Sequence, residues 1–128
     1  MKRTTITMDV CGWVAVPSDA ANVWMSEMEL VKLFDVIAPT LRAAIKAVYK
    51  SGVLKEYEVQ KYVRLENSYH ADVFGFSMIV ALAFHINSFG AEQVRNAIIE
   101  RLYLRKEKTA FFFFSLGIHN MNMSNYQA

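Results

Sequence analysis

The chain has 128 residues, 54% of them hydrophobic and 20% charged, with a net charge of +2. That length suits one ordinary domain with a packed core and excludes a mainly disordered segment. Its single cysteine, Cys11, excludes an intramolecular disulfide, and His70, His85 and His119 lie too far apart for metal-ligand spacing, so neither metal nor cofactor is expected.

Cys11 is expected as a small buried hydrophobe in a reducing compartment. No apolar run of signal-peptide length follows Lys2 and Arg3. The longest apolar stretches, 78–84 and 110–114, fall short of the roughly 20 residues a membrane helix needs, so a cytoplasmic protein with no membrane partner is expected. Charge is unevenly placed. Between Arg42 and Arg64 six cations (Arg42, Lys46, Lys50, Lys55, Lys61, Arg64) face only Glu56 and Glu58. A basic block on a near-neutral chain points to a polyanionic partner, or to an ordinary solvated face.

Residues 5–10 and 13–16 alternate apolar and polar around Gly12, which predicts two short strands in a hairpin ended by the turn at 17–19. From Trp24 the period lengthens. Ser26 and Glu29 have the spacing of a capping box, and Leu30, Val31, Leu33 and Phe34 form one stripe of a short helix. Asp35 stands where that helix should stop, and Asp tolerates the left-handed conformation better than most side chains. Pro39 suits the first turn of a second helix, whose buried stripe is Leu41, Ile45 and Val48 with Ala44 beside it, and Gly52 closes it. A charged helical turn or loop follows at 55–58. Strands at 59–64 and 69–76 around a polar turn at 66–68 predict a second hairpin. An apolar helix is expected over 78–86, a break at 87–90 and an amphipathic helix over 91–106. The phenylalanines at 111–114 read as a strand packed on both faces, followed by a polar tail.

Two short helices joined by a tight turn, with a hairpin behind them, have the order of a DNA-reading helix-turn-helix. The outward face of the second helix offers Thr40, Arg42, Ala43, Lys46 and Lys50. Arg42 has the chemistry to grip guanine bidentately or a phosphate, and Thr40 to touch a thymine methyl or phosphate. Lys61 and Arg64 on the hairpin complete the candidate DNA-binding set. Nothing matches an enzyme: His70 and Asp72 would share a strand face with no third partner, Ser26 lacks a surrounding G-x-S-x-G, and there is no phosphate-binding glycine loop. Trp13, Trp24 and the tyrosines are expected in the core, and His85 in the core or an interface.

The segments Trp24-Met25-Ser26-Glu27-Met28-Glu29-Leu30-Val31-Lys32-Leu33-Phe34-Asp35-Val36, Thr40-Leu41-Arg42-Ala43-Ala44-Ile45-Lys46 and Tyr49-Lys50-Ser51-Gly52-Val53-Leu54 resemble the N-terminal domain of the RhuM virulence-protein family. A second block, Phe76-Ser77-Met78-Ile79-Val80 with Phe84-His85-Ile86-Asn87-Ser88 and Gln93-Val94-Arg95, is similar to the same pattern. The resemblance covers about residues 24–102 and implies a bacterial DNA-binding domain, often carried on mobile elements, with no catalytic residues to transfer. The chain departs from the pattern at Asp35 (glycine in the family), Ala44 (a basic residue), Ser77 (Asp) and His85 (Arg), as a diverged member would.

The sequence therefore predicts an α+β fold: one winged helix-turn-helix-like domain over 1–128. It comprises an N-terminal β-hairpin, the helix-turn-helix at 26–50, a wing at 59–76, two further helices and a polar tail at 119–128. The expected function is binding of double-stranded DNA through Thr40, Arg42, Ala43, Lys46, Lys50, Lys61 and Arg64, as a bacterial transcriptional regulator or mobile-element accessory protein. A homodimer is expected because four consecutive phenylalanines are hard to bury within so small a domain. The alternative is a protein-interaction or oligomerisation module that has lost DNA binding.

Overall fold

The alternating N-terminal segment forms the expected hairpin, shortened to β1 (Thr7–Met8) and β2 (Val14–Ala15), antiparallel to each other. The computed structural model describes the backbone of residues 2–115 and the side chains of residues 2–104. The loop between β1 and β2 closes on the Asp9 carboxylate, whose Oδ1 accepts from the Cys11 and Trp13 amides at 2.9 and 3.0 Å. That leaves the side chains of the tip in solvent. Cys11 is exposed and Trp13 is 74% exposed, so neither is the core residue that its type suggested.

After a 3-10 turn at Ala20–Asn22 the chain enters β3 (Trp24–Ser26), a strand too short to leave a periodic trace in the sequence. Then come α1 (Glu27–Phe34), α2 (Ala38–Ser51), the single turn α3 (Glu56–Val59), β4 (Gln60–Arg64), β5 (His70–Gly75), α4 (Phe76–His85) and α5 (Phe89–Ser115). The second sheet runs β3-β5-β4, both pairings antiparallel, with Trp24 opposite Gly75 and Lys61 opposite Val73. The described residues thus make an α+β fold of five helices and two small antiparallel sheets. None of these helices is long and apolar enough to cross a membrane.

Local chemistry explains the helix ends. Ser26 is the N-cap of α1: its Oγ accepts from the Glu29 amide, and Glu29 Oε1 accepts from the Ser26 amide at 2.9 Å. Asp35 ends α1 in the left-handed region at φ 53°, and Gly52 ends α2 at φ 78°. Pro39 occupies the first turn of α2, where a missing N–H leaves no bond unmade. The α2 stripe Leu41, Ala44, Ile45 and Val48 is buried, as are Leu30, Leu33 and Phe34 of α1. α1 packs on α2, and α2 on α4, whose Met78, Ile79 and Leu82 are wholly enclosed. Each such side chain contributes roughly 1.5–3 kcal/mol by burial.

The junction between α1, α4 and α5 is built from backbone groups that helix ends leave unpaired. Ser88 Oγ donates to the Phe34 carbonyl at 2.6 Å and accepts from the Ala91 amide at 3.1 Å. Arg95 Nη1 donates to the carbonyls of Ala83 and Ile86 at 2.6 and 2.9 Å, closing the end of α4. Gly90 lies so close to α1 that a Cβ there would stand 2.4 Å from the Leu33 carbonyl oxygen.

The described residues fall into two units, one running to Ala97 and a second beginning at Ile98 within α5. In the second, Ile99, Leu102, Tyr103 and Leu104 are between 49% and 63% exposed. The backbone at 111–114 continues α5 and is helical, not the expected strand. No glycine or proline interrupts the chain between Gly90 and Gly117, so the helical pattern before the phenylalanines carries on through them. The two-faced packing expected of those side chains, and the polar tail at 119–128, lie outside the described residues. His85, expected in the core or an interface, is exposed, as are Tyr57, Tyr62, Tyr69 and Tyr103.

Candidate nucleic-acid interface

α1, the left-handed Asp35 and α2 form two helices joined by the short connection at 35–37. Burial of the 41/44/45/48 stripe turns the opposite side of α2 outward. Arg42, Lys46 and Lys50 recur every four residues and are all exposed, a ridge of three cations about 12 Å long at 1.5 Å per residue. Ala43 lies beside this ridge and Thr40 farther round the helix on the same side, both exposed.

Two of the expected contact residues sit on β4, and strand alternation puts them on opposite faces. Arg64 shares its face with Gln60, Tyr62, His70 and Asp72. α2 bonds to this face, its Tyr49 hydroxyl donating to Gln60 Oε1 at 2.7 Å. Burial first, then the nearby Glu56 and Asp72, push the Tyr49 phenol up to about 12. Farther along, Tyr62 and His70 stack at 5.7 Å between centroids and 18° between planes. Arg64 Nη2 donates to Ser68 Oγ at 3.3 Å in the same hairpin. Lys61 belongs to the other face, its Nζ 4.2 Å from the centre of the Trp24 ring. The fold therefore groups Arg42, Lys46 and Lys50 on one ridge and places Arg64 on the sheet face that α2 touches. Lys61 is directed away from both.

Sequence reasoning missed the acidic partners of two arginines. Glu27, the first residue of α1, holds Arg42 through Oε1 at 2.8 Å from Nη2. Arg3, whose side chain is only 6% exposed, donates to the Trp24 carbonyl at 2.9 Å, to Glu29 at 2.6 and 3.2 Å and to Glu66 at 2.8 Å. Those bonds tie the start of α1 to the turn between β4 and β5, fixing the hairpin against the helix pair. Neither pairing has a sequence signature, since the partners lie on different elements.

Burial pushes the Glu29 carboxyl up, but hydrogen bonds from Arg3 and the Ser26 amide outweigh it and hold the group below its ordinary 4.5. Arg3 is correspondingly raised, first by its bond to Glu29. A depressed carboxylate stabilises the fold fully above its unfolded value, and that contribution is lost as pH falls through the folded one. Glu29→Gln should therefore lower stability at neutral pH and flatten its decline below 4.5 in denaturant titrations run across pH. A decline as steep as that of the parent would remove Glu29 as the group responsible. Ser26→Ala, which deletes the other half of the cap, should cost about 0.5–2 kcal/mol by denaturation at constant slope, and an unchanged midpoint would contradict the role.

Among the described residues no cluster of histidine, cysteine or acidic side chains has the geometry to hold a metal ion. No protein-family model, curated protein or solved structure matches the chain.

Proposed function

We propose that this domain is a winged helix-turn-helix that binds double-stranded DNA, serving a bacterial transcriptional regulator or an accessory protein of a mobile element. The observation that carries the reading is the exposed ridge of Arg42, Lys46 and Lys50 on the second of two tightly joined helices. Chain order supports it: β3, two helices, then a hairpin whose second strand returns to pair with β3. In this reading α2 enters the major groove, about 12 Å wide, and the β4–β5 hairpin is the wing beside it, with Arg64 toward the phosphates. The resemblance to the RhuM family points the same way. Fluorescence anisotropy with a random-sequence duplex at two salt concentrations tests it, since phosphate contacts make affinity fall as salt rises.

The second reading, an interaction or oligomerisation module, is favoured by the exposed Ile99, Leu102 and Tyr103 on α5, spaced to share a helix face. It expects a dimer mass by light scattering at tens of micromolar, and a monomer mass there would count against it.

A further inference from the structure

Glu27 and Arg42 form an ion pair at 2.8 Å across the two helices of the proposed reading head, and both remain in contact with water, at 37% and 65% side-chain exposure. Arg42 is the first cation of the α2 ridge, so a carboxylate sits where the ridge would meet phosphate. An exposed pair of this kind is weak and readily exchanged. A DNA acceptor must nevertheless compete with the carboxylate for Nη2 of Arg42, and the carboxylate itself repels the backbone.

Resting on the DNA-binding reading above, we infer that Glu27 is a specificity-determining residue that holds Arg42 back from indiscriminate phosphate contact. A guanine edge, which offers the guanidinium two acceptors in a fixed fork, compensates for release from Glu27. A lone phosphate on an arbitrary sequence compensates less. Glu27 thus lowers affinity for duplexes in general more than for the duplex this protein prefers. The same acidic residue leaves Lys46 and Lys50, farther along the helix, to supply the sequence-independent attraction.

The experiment compares the parent with Glu27→Gln, a substitution of nearly equal volume at a solvent-facing position outside the Ser26–Glu29 cap. Anisotropy is read on a random-sequence duplex and on a duplex enriched from a random pool by the parent protein. Glu27→Gln should bind the random duplex about 3- to 10-fold more tightly at low salt, with a steeper salt dependence. The gain on the enriched duplex should be smaller. In an Arg42→Gln background the same change should give less than a twofold gain, because the residue it releases is gone. An equal gain with and without Arg42 would make Glu27 a simple repulsive charge and overturn the inference. So would an equal gain on both duplexes, or no gain at all. Weaker binding by Glu27→Gln would show that the pair orients Arg42 instead, and would overturn it too. If neither protein binds either duplex, the DNA-binding reading itself falls, an outcome distinct from all of these.

Discussion

Gly90→Ala should destabilise the fold by about 3 kcal/mol or more, the upper range for overpacking, and lower the melting temperature by roughly 10 °C or more. The sign is what makes the test informative. Gly90 lies in the first turn of α5, and in an open helix alanine is favoured over glycine by about 1 kcal/mol. Here the added Cβ would meet backbone rather than a side chain that can turn aside: the Leu33 oxygen at 2.4 Å, the Phe34 carbonyl carbon at 2.6 Å and its Cα at 2.8 Å. Relief would require α5 to withdraw from the end of α1. That movement would break the Ser88 bond to the Phe34 carbonyl and open the packing around Phe34, which is wholly buried. The position of Asp35, immediately after Phe34, links this junction to the geometry of the helix pair. A stabilised or unchanged Gly90→Ala variant in thermal and denaturant unfolding would mean that the close approach of the two helices is wrong.

What was legible in the sequence was what is decided locally. The Ser26–Glu29 cap, the left-handed Asp35, Pro39 in the first turn of α2 and Gly52 at its end each depend on groups within a few residues. The α2 stripe was legible for the same reason, since a 3.6-residue period survives whatever the helix packs against. β3 was not, because a three-residue strand exists only through its pairing with β5, and Trp24 meets Gly75 far along the chain. Phenylalanines 111–114 misled because aromatic residues favour strands by type, whereas here the helix already running from Phe89 sets the backbone. Cys11 and Trp13 depart from the burial their residue types favour because a hairpin tip exposes whatever it carries. Within the candidate site the cationic ridge could be found from spacing alone. Its acidic counterpart could not: Glu27 and Arg42 meet only because α1 packs on α2, and the Arg3 clamp joins residues from three separate segments.

Lys46→Ala should weaken binding to every duplex alike and reduce the salt slope by about 0.9, the share of one phosphate contact. Lys46 is the cleaner probe of the ridge, because it is exposed and makes no salt bridge among the described residues. Its loss therefore reports contact with DNA and not a disturbed fold, which an unchanged melting temperature would verify. Arg42→Ala should cost about 1–3 kcal/mol on the preferred duplex and relax selection at one base pair if the guanidinium reads guanine. That figure is net of competition with Glu27 for the guanidinium, so the measured loss understates the contact itself. Ala43 and Ala44 give α2 few other readers: Ala43 has no hydrogen-bonding side chain, and Ala44 is buried. Affinity should accordingly be modest and sequence preference narrow, with most of the binding energy electrostatic. The double variant Arg42→Ala/Lys46→Ala should bind more weakly than either single variant at moderate ionic strength and keep only the salt-dependent attraction of Lys50 and Arg64. Should it bind as well as the parent, or the parent show no salt-dependent binding to any duplex, α2 is not a DNA-reading helix and the interaction-module reading replaces it.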